Sequence, residues 1–340
     1  MTPPPNHPAI PPRKVGVLLI NLGTPDAADA RAVRRYLAEF LSDRRVVEIP
    51  QLIWQPILRG AILTTRPKKS AHAYAQVWTE GGSPLAAITR AQSEALQGAF
   101  GEGVIVDWAM RYGNPGIEGR LQALKAAGCE RILLAPLYPQ YCAATTATAN
   151  DKSFLALAKM RWQPAIRTLP PYHDDPAYID ALATSVTASL DALDWRPDAL
   201  IASFHGMPQR TLAMGDPYHC HCQKTGRLLG EALAGTLAGR TLTVTFQSRF
   251  GRAKWLEPAT DTVLAALPAQ GVRKIAIVAP GFSADCVETL EELAIRGRET
   301  FEAAGGTHFA ALPCLNAGEP GIAMLRSILA RELAGWVAAP

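Results

Sequence analysis

The run Val15-Gly16-Val17-Leu18-Leu19-Ile20 is apolar without alternation and stops at Asn21-Leu22-Gly23-Thr24-Pro25-Asp26. An alternating strand has one wet face. A strand without alternation is buried on both, which is the position of a parallel strand covered by helices on either side. The glycine turn then opens residues 27–42, in which Val33, Tyr36, Leu37 and Phe40 fall at helical spacing. The same alternation recurs: Val104-Ile105-Val106, Arg131 to Leu137, Ala199 to Phe204, Leu242 to Phe246 and Lys274 to Pro280 read as further strands, each flanked by an Ala/Leu-rich helical stretch. This pattern predicts an α/β fold, doubly wound around mainly parallel strands. Two of the strands close on Ala-Pro, at Ala135-Pro136 and Ala279-Pro280, followed by a polar loop and a helix. The two half-chains therefore look alike in outline, and ligands of such sheets bind at the carboxyl ends of the strands.

A chain of 340 residues has the length of about two domains. Trp162 to Asp175, with Pro164, Pro170 and Pro171 and with Pro176 beside it, is the best boundary. The expected organisation is a disordered Pro-rich lead over 1–13, a first domain over 14–165, a second over 166–310, and a C-terminal helix within 311–340 that packs back on the first domain. The 34 Lys+Arg against 30 Asp+Glu leave +4, too small and dispersed a charge for a nucleic-acid partner. It suits anionic small molecules or an anionic membrane surface. The lead has no apolar core of a secretory signal, and no apolar run approaches the roughly 18 residues that cross a bilayer. The expected location is cytoplasmic. Six cysteines in such a chain read as reduced thiols or metal ligands rather than disulfides.

Ile49 to Leu63 breaks the globular rhythm: it is apolar with few charges and is followed by Arg66-Pro67-Lys68-Lys69. It reads either as a buried helix with a solvated basic end or as an amphipathic lip, spanning about 49–66, that lies on a membrane or covers an apolar ligand.

Three places could carry chemistry. In Ser203-Phe204-His205-Gly206-Met207-Pro208 a histidine stands directly beyond an apolar strand, and a neutral imidazole is both a proton acceptor and a metal ligand. In Pro280-Gly281-Phe282-Ser283-Ala284-Asp285-Cys286-Val287-Glu288-Thr289-Leu290-Glu291-Glu292, the carboxylates Glu288 and Glu292 fall at i and i+4 on one helix face. They are either a solvated first-turn acid cluster or, given Phe282 and Val287, a pair facing a cleft. His219-Cys220-His221-Cys222 concentrates soft ligands and reads as a metal or iron-sulfur site or as a reduced, solvent-facing loop. No G-x-G-x-x-G follows the first strand, and neither a phosphate-binding P-loop nor a Gly-x-Ser-x-Gly elbow occurs, so nucleotide binding and serine-hydrolase chemistry have no basis.

Eight ordered motifs carry a resemblance: Leu18 to Pro25, Glu80-Gly81-Gly82-Ser83-Pro84-Leu85, Met110-Arg111-Tyr112, Tyr138-Pro139-Gln140-Tyr141, Ser203 to Pro208 with Gly215-Asp216-Pro217-Tyr218, Gln247-Ser248-Arg249, Trp255 to Asp261, and the Glu288 segment. Together, from Val15 to about Asn316, they resemble the ferrochelatases. The resemblance implies two Rossmann-like domains without nucleotide and insertion of Fe2+ into protoporphyrin IX, giving protohaem in the last step of haem synthesis. By position, His205 and Glu288 resemble the family's metal- and proton-handling pair, with Glu292 continuing the acidic ladder. Leu22, Met110, Tyr112, Tyr138, Trp255 and Phe282 resemble cleft lining and Arg111 a cleft cation. The segment 49–66 resembles the lip by which members meet the membrane, on the inner-membrane surface, where handover from the preceding porphyrinogen oxidase would occur.

Porphyrin chemistry fits these residue types. The substrate is a flat apolar disc with two propionates and two inner N–H protons, so its site needs aromatic walls, cations at the rim and a base above the ring. Two departures stand out. Many relatives carry His where this chain has Cys286, and the carboxy-terminal cysteines by which animal members hold a [2Fe-2S] cluster are missing. Since some bacterial members use internal cysteines, Cys220 and Cys222 are candidate cluster ligands. The alternatives are a chelatase for coproporphyrin III or sirohydrochlorin, or a non-catalytic haem or porphyrin carrier. The apolar lip favours protoporphyrin, and the acidic ladder has no job in a passive carrier.

Overall fold

The computed structural model describes residues 14–251 and 253–337, so the Pro-rich lead at 1–13 lies outside the described residues. Eight strands form two parallel sheets: β1 (Lys14–Thr24), β2 (Val104–Gly113), β3 (Cys129–Pro136) and β4 (Ala165–Thr168) in one, β5 (Ala199–His205), β6 (Leu242–Gln247), β7 (Lys274–Val278) and β8 (His308–Ala311) in the other. The spatial orders are β2-β1-β3-β4 and β6-β5-β7-β8, the same winding twice. In each sheet the chain steps to one side of the first strand and then returns to the other. The order therefore reverses between β1 and β3 and again between β5 and β7. All described ladders are parallel.

The central strands are those the apolar runs predict. Val17 to Ile20 in β1, Leu200 to Ala202 in β5 and Ile275 to Ile277 in β7 are all but inaccessible, as strands covered on both faces must be. Two edge strands, β4 and β8, were not foreseen. Ala165-Ile166-Arg167-Thr168 and His308-Phe309-Ala310-Ala311 are four residues each and largely part-exposed, too short and mixed to show a pattern. Because β4 pairs with β3, the first sheet runs to Thr168, past the expected boundary at 165.

In chain order the helices are α1 (Ala30–Ser42), α2 (Gln51–Ile57), α3 (Leu63–Val77), α4 (Pro84–Phe100), α5 (Ile117–Ala126), α6 (Thr148–Ala158), α7 (Pro176–Asp191), α8 (Gln209–Ala213), α9 (Tyr218–Ala232), α10 (Ala234–Leu237), α11 (Thr260–Ala266), α12 (Arg298–Ala303) and α13 (Glu319–Glu332). Asp29 caps α1 by accepting from the amides of Arg31 and Ala32, and Asp175 caps α7 through the amide of Ala177. The last helix, α13, packs against α7 and against α4 of the first half. Helix α9 lies so close on β6 that a Cβ at Gly226 would come within 2.2 Å of Val244 Cγ2.

Residues 51–77 form two helices, α2 and α3, joined by a π-helical turn at Leu58–Ile62. Trp54, Leu58 and Leu63 are buried, and the indole N–H of Trp54 donates to Leu41 O at 2.6 Å. Leu52 (93% exposed), Ile53 (59%) and Ile57 (44%) point outward. No helix among the described residues is long and apolar enough to cross a membrane.

Candidate active site

The site lies where the order of the second sheet reverses, at the carboxyl ends of β5 and β7, the place a doubly wound sheet offers a ligand. His205 is the last residue of β5 and is half-buried. Its Nδ1 lies 2.7 Å from Gly206 O. A carbonyl only accepts, so Nδ1 carries the hydrogen and the neutral ring keeps its lone pair on Nε2. The phenol of Tyr218 donates to His205 O at 2.9 Å and fixes the backbone from the other side.

β7 leads through Ala279-Pro280-Gly281-Phe282 to Glu288, the first residue of a π-helical segment, Glu288–Gly297. The sequence predicts an α-helix here. The wider π turn, whose hydrogen bonds run i→i+5, is a form that recurs at functional sites. Beside the π-helical segment packs α3 of the first half; burial pushes the phenols of Tyr36 and Tyr74 well up, and the charge of Glu288 adds to it. These rings meet edge to face at 6.5 Å. Cys286 is buried beside Glu288, and burial and that carboxylate push its thiol well up, so it stays protonated.

Gln247 joins the histidine and the acid. It stands opposite His205 in the β5–β6 ladder. Its side chain accepts from Ser203 Oγ at 2.8 Å and donates to Glu288 O at 2.9 Å, and its carbonyl accepts from Gly206 N at 2.7 Å. One buried amide therefore connects the strand bearing His205 with the backbone of Glu288. In the sequence Gln247 belongs to a motif, Gln247-Ser248-Arg249, that by itself assigns it no role. Its only signal was its place at the end of an apolar strand.

Glu292 is held at the far end. The amide and hydroxyl of Ser248 donate to its two oxygens at 2.8 and 2.5 Å, with Ser248 in the left-handed region at φ +64°. Beside it opens a cavity of about 140 Å³ lined by Ser248, Arg249, Asp261, Glu292 and Arg296 among others. The acids thus run from the side on which α3 packs to an opening.

Trp255 lies over the strand end, its Cε3 at 3.3 Å from where a Cβ of Gly206 would sit. Phe282 and Leu22 are partly exposed and pack at the edges of apolar clusters. Tyr138 follows β3, and its hydroxyl has no hydrogen-bond partner among the described residues. Met110 and Tyr112 are fully buried and lie behind this surface. Arg111 is not a free cation: its guanidinium is held by Asp43, lies 3.9 Å from Glu39, and donates to Thr148 O and Oγ1 at 3.0 and 2.7 Å. Its side chain is 10% exposed. Arg66 of α3 stacks 4.6 Å from the ring centroid of Phe250 in the second half and has no carboxylate partner among the described residues.

The cysteines of α9 are not brought together. Cys220 is exposed and Cys222 fully buried, as two residues of helix dictate. Among the described residues no three of His, Cys, Asp and Glu are arranged to hold a metal ion. His221 instead stacks on His173 at 3.6 Å.

The family model described as Ferrochelatase matches residues 14–333. The chain belongs to the ferrochelatase family. It is 56% identical over 335 residues to the ferrochelatase of Rhizobium meliloti (strain 1021), covering 97% of this chain and 98% of that one. It is 54% identical over 338 residues to that of Agrobacterium fabrum (strain C58), covering 98% of each. As a ferrochelatase-family member it is a lyase that inserts iron into a porphyrin in haem synthesis. Among solved structures it shares its fold with SirB from Bacillus subtilis with Fe3+ (TM-score 0.52, 12% identity, 95% of this chain and 96% of that one). CbiX, the terminal enzyme for biosynthesis of sirohaem in denitrifying bacteria, aligns at TM-score 0.51 and 13% identity over 94% of this chain and 100% of that one.

Proposed function

We propose that this chain inserts Fe2+ into protoporphyrin IX, releasing protohaem and two protons, with His205 and Glu288 handling the metal and the protons. The observation that carries this reading is the Gln247 link, which fixes an imidazole strand end and a carboxylate backbone to one buried side chain at the reversal point of a sheet.

Each of the two pyrrole protons leaves as the ring nitrogens take the iron. His205 Nε2 bears the free lone pair and accepts the first. Glu288 passes the second along Glu292 toward the cavity beside Ser248, and protonated carboxyls release it to water. The iron is cargo: imidazole and carboxylate hold it in transit and surrender it to four nitrogens. Leu22, Trp255, Phe282 and Tyr138 face the porphyrin, with Met110 and Tyr112 supporting from behind. Arg66 supplies the rim cation for a propionate.

The exposed Leu52, Ile53 and Ile57 of the lip, with the exposed Lys68 and Lys69 following on α3, support a peripheral position on the cytoplasmic face of the inner membrane. An apolar porphyrin made by a porphyrinogen oxidase would enter there without crossing water. The apolar mouth also supports protoporphyrin over tetracarboxylate substrates. Loss of porphyrin fluorescence on adding Fe2+, run side by side with protoporphyrin IX and coproporphyrin III, tests this: multiple turnovers favouring protoporphyrin are expected. Preference for coproporphyrin would replace the substrate, and stoichiometric quenching would mean a carrier.

A further inference from the structure

The loop between β8 and α13 reaches back to the π-helical segment. We propose that Asn316 is a positioning residue for Glu288, acting through Asp285 and Thr289. The inference rests on the role of Glu288 given above.

Asn316 sits in the left-handed region at φ +50°. Both ends of its amide engage one residue: Nδ2 donates to Asp285 Oδ2 at 2.6 Å, and Oδ1 accepts from Asp285 N at 2.8 Å. The other oxygen of Asp285 accepts from Thr289 Oγ1 at 2.8 Å, and that hydroxyl accepts in turn from Cys286 N at 3.0 Å. Residues 285, 286 and 289, on both sides of Glu288, are thereby held in one network. Gln247 holds the carbonyl of Glu288 itself.

The network is anchored in the first half of the chain. Gln92 of α4 donates from Nε2 to Ser283 O at 3.0 Å and to Asn316 O at 2.9 Å, and Asn316 N donates to Ser283 O at 3.2 Å. Gln92, Asp285 and Thr289 are buried. These bonds do what ordinary capping would do elsewhere, since no side chain caps the π-helical segment at Val287. Apolar packing alone would let a helix end slide. A contact with two prongs, one on the carboxylate and one on the backbone N–H of the same residue, fixes distance and angle together.

Asn316→Gly in the full chain tests the idea, because glycine keeps the left-handed backbone and removes only the amide. At a temperature where the variant is fully folded, kcat for Fe2+ insertion falls about tenfold, while KM and the Kd for protoporphyrin IX stay within about twofold. Thr289→Val, close in shape, serves if the first variant does not fold, and shows the same split. Asn316→Asp sets two carboxylates against each other and lowers kcat. Combining it with Asp285→Asn exchanges the two ends of the contact and restores kcat to within about threefold of wild type. Wild-type kcat in the folded single variants, a matching loss of porphyrin binding, or failure of the exchange to restore turnover would each overturn the proposal. Glu288→Gln in the same assay separates the two readings: if it turns over normally, the role of Glu288 has failed, whatever Asn316 does.

Discussion

Gly206→Ala puts one methyl group next to His205, and the structure fixes what it would meet. A Cβ at residue 206 would stand 2.5 Å from the carbonyl oxygen of Gln247 and 3.3 Å from Trp255 Cε3. That oxygen accepts the amide of Gly206, so it belongs to the chain pairing that continues the β5–β6 ladder. Opening the contact even to 3.0 Å demands a shift of at least about 0.5 Å in backbone, roughly the tolerance within which a catalytic constellation must be held. Because His205 Nδ1 is bonded to Gly206 O, and Gln247 to Glu288 O, the displacement moves both proposed catalytic groups. Overpacking should cost about 1–3 kcal/mol of stability. Misplacement approaching 1 Å should lower kcat by about 10- to 100-fold. Urea unfolding gives the first number and initial rates of porphyrin fluorescence loss the second, at a temperature where the variant is folded. If kcat stayed within about threefold of wild type, the tight coupling of strand end, Gln247 and Glu288 would be wrong.

Two other perturbations separate binding from stability. Arg66→Ala should raise KM for protoporphyrin about tenfold with kcat retained, since a rim cation holds ground state and transition state alike; an unchanged KM would return the propionate to another cation. His173 is held down to about 4 by burial and by His221. Its folded value lies below the ordinary 6.5, so its contribution is complete above about 6.5 and is lost as pH falls toward 4. Urea titrations should show wild type losing about 1 kcal/mol more than His173→Gln between pH 7 and 5, after allowance for solvent screening. Parallel pH slopes would contradict this.

The central strands could be read from sequence because strands covered on both faces leave a continuous apolar run, as Val17 to Ile20 does. β4 and β8 could not, because an edge strand of four mixed residues leaves no period. His205 was legible as a residue type at the end of a strand, and Glu288 as a carboxylate on the helix that follows one. Their connections were not. Gln92 meets Asn316 across a sequence separation of 224, and Arg111 meets Asp43 across 68. Nothing local to Met110-Arg111-Tyr112 reveals that Asp43 and Thr148 already occupy that guanidinium. Tyr36 and Tyr74 follow the spacing of ordinary core positions, and only the packing of α3 on the π-helical segment places them beside Glu288. Cys220 and Cys222 are neighbours in sequence but lie on different sides of α9, one exposed and one buried.

The account turns on one imidazole and one carboxylate sharing the chemistry of insertion. Anaerobic single-turnover mixing of Fe2+ with porphyrin already bound to wild type, His205→Ala and Glu288→Gln measures that step apart from substrate binding and product release. Both variants should bind protoporphyrin as wild type does and insert iron at least about 100-fold more slowly. Insertion by either variant within about tenfold of the wild-type rate would contradict the proposed pair.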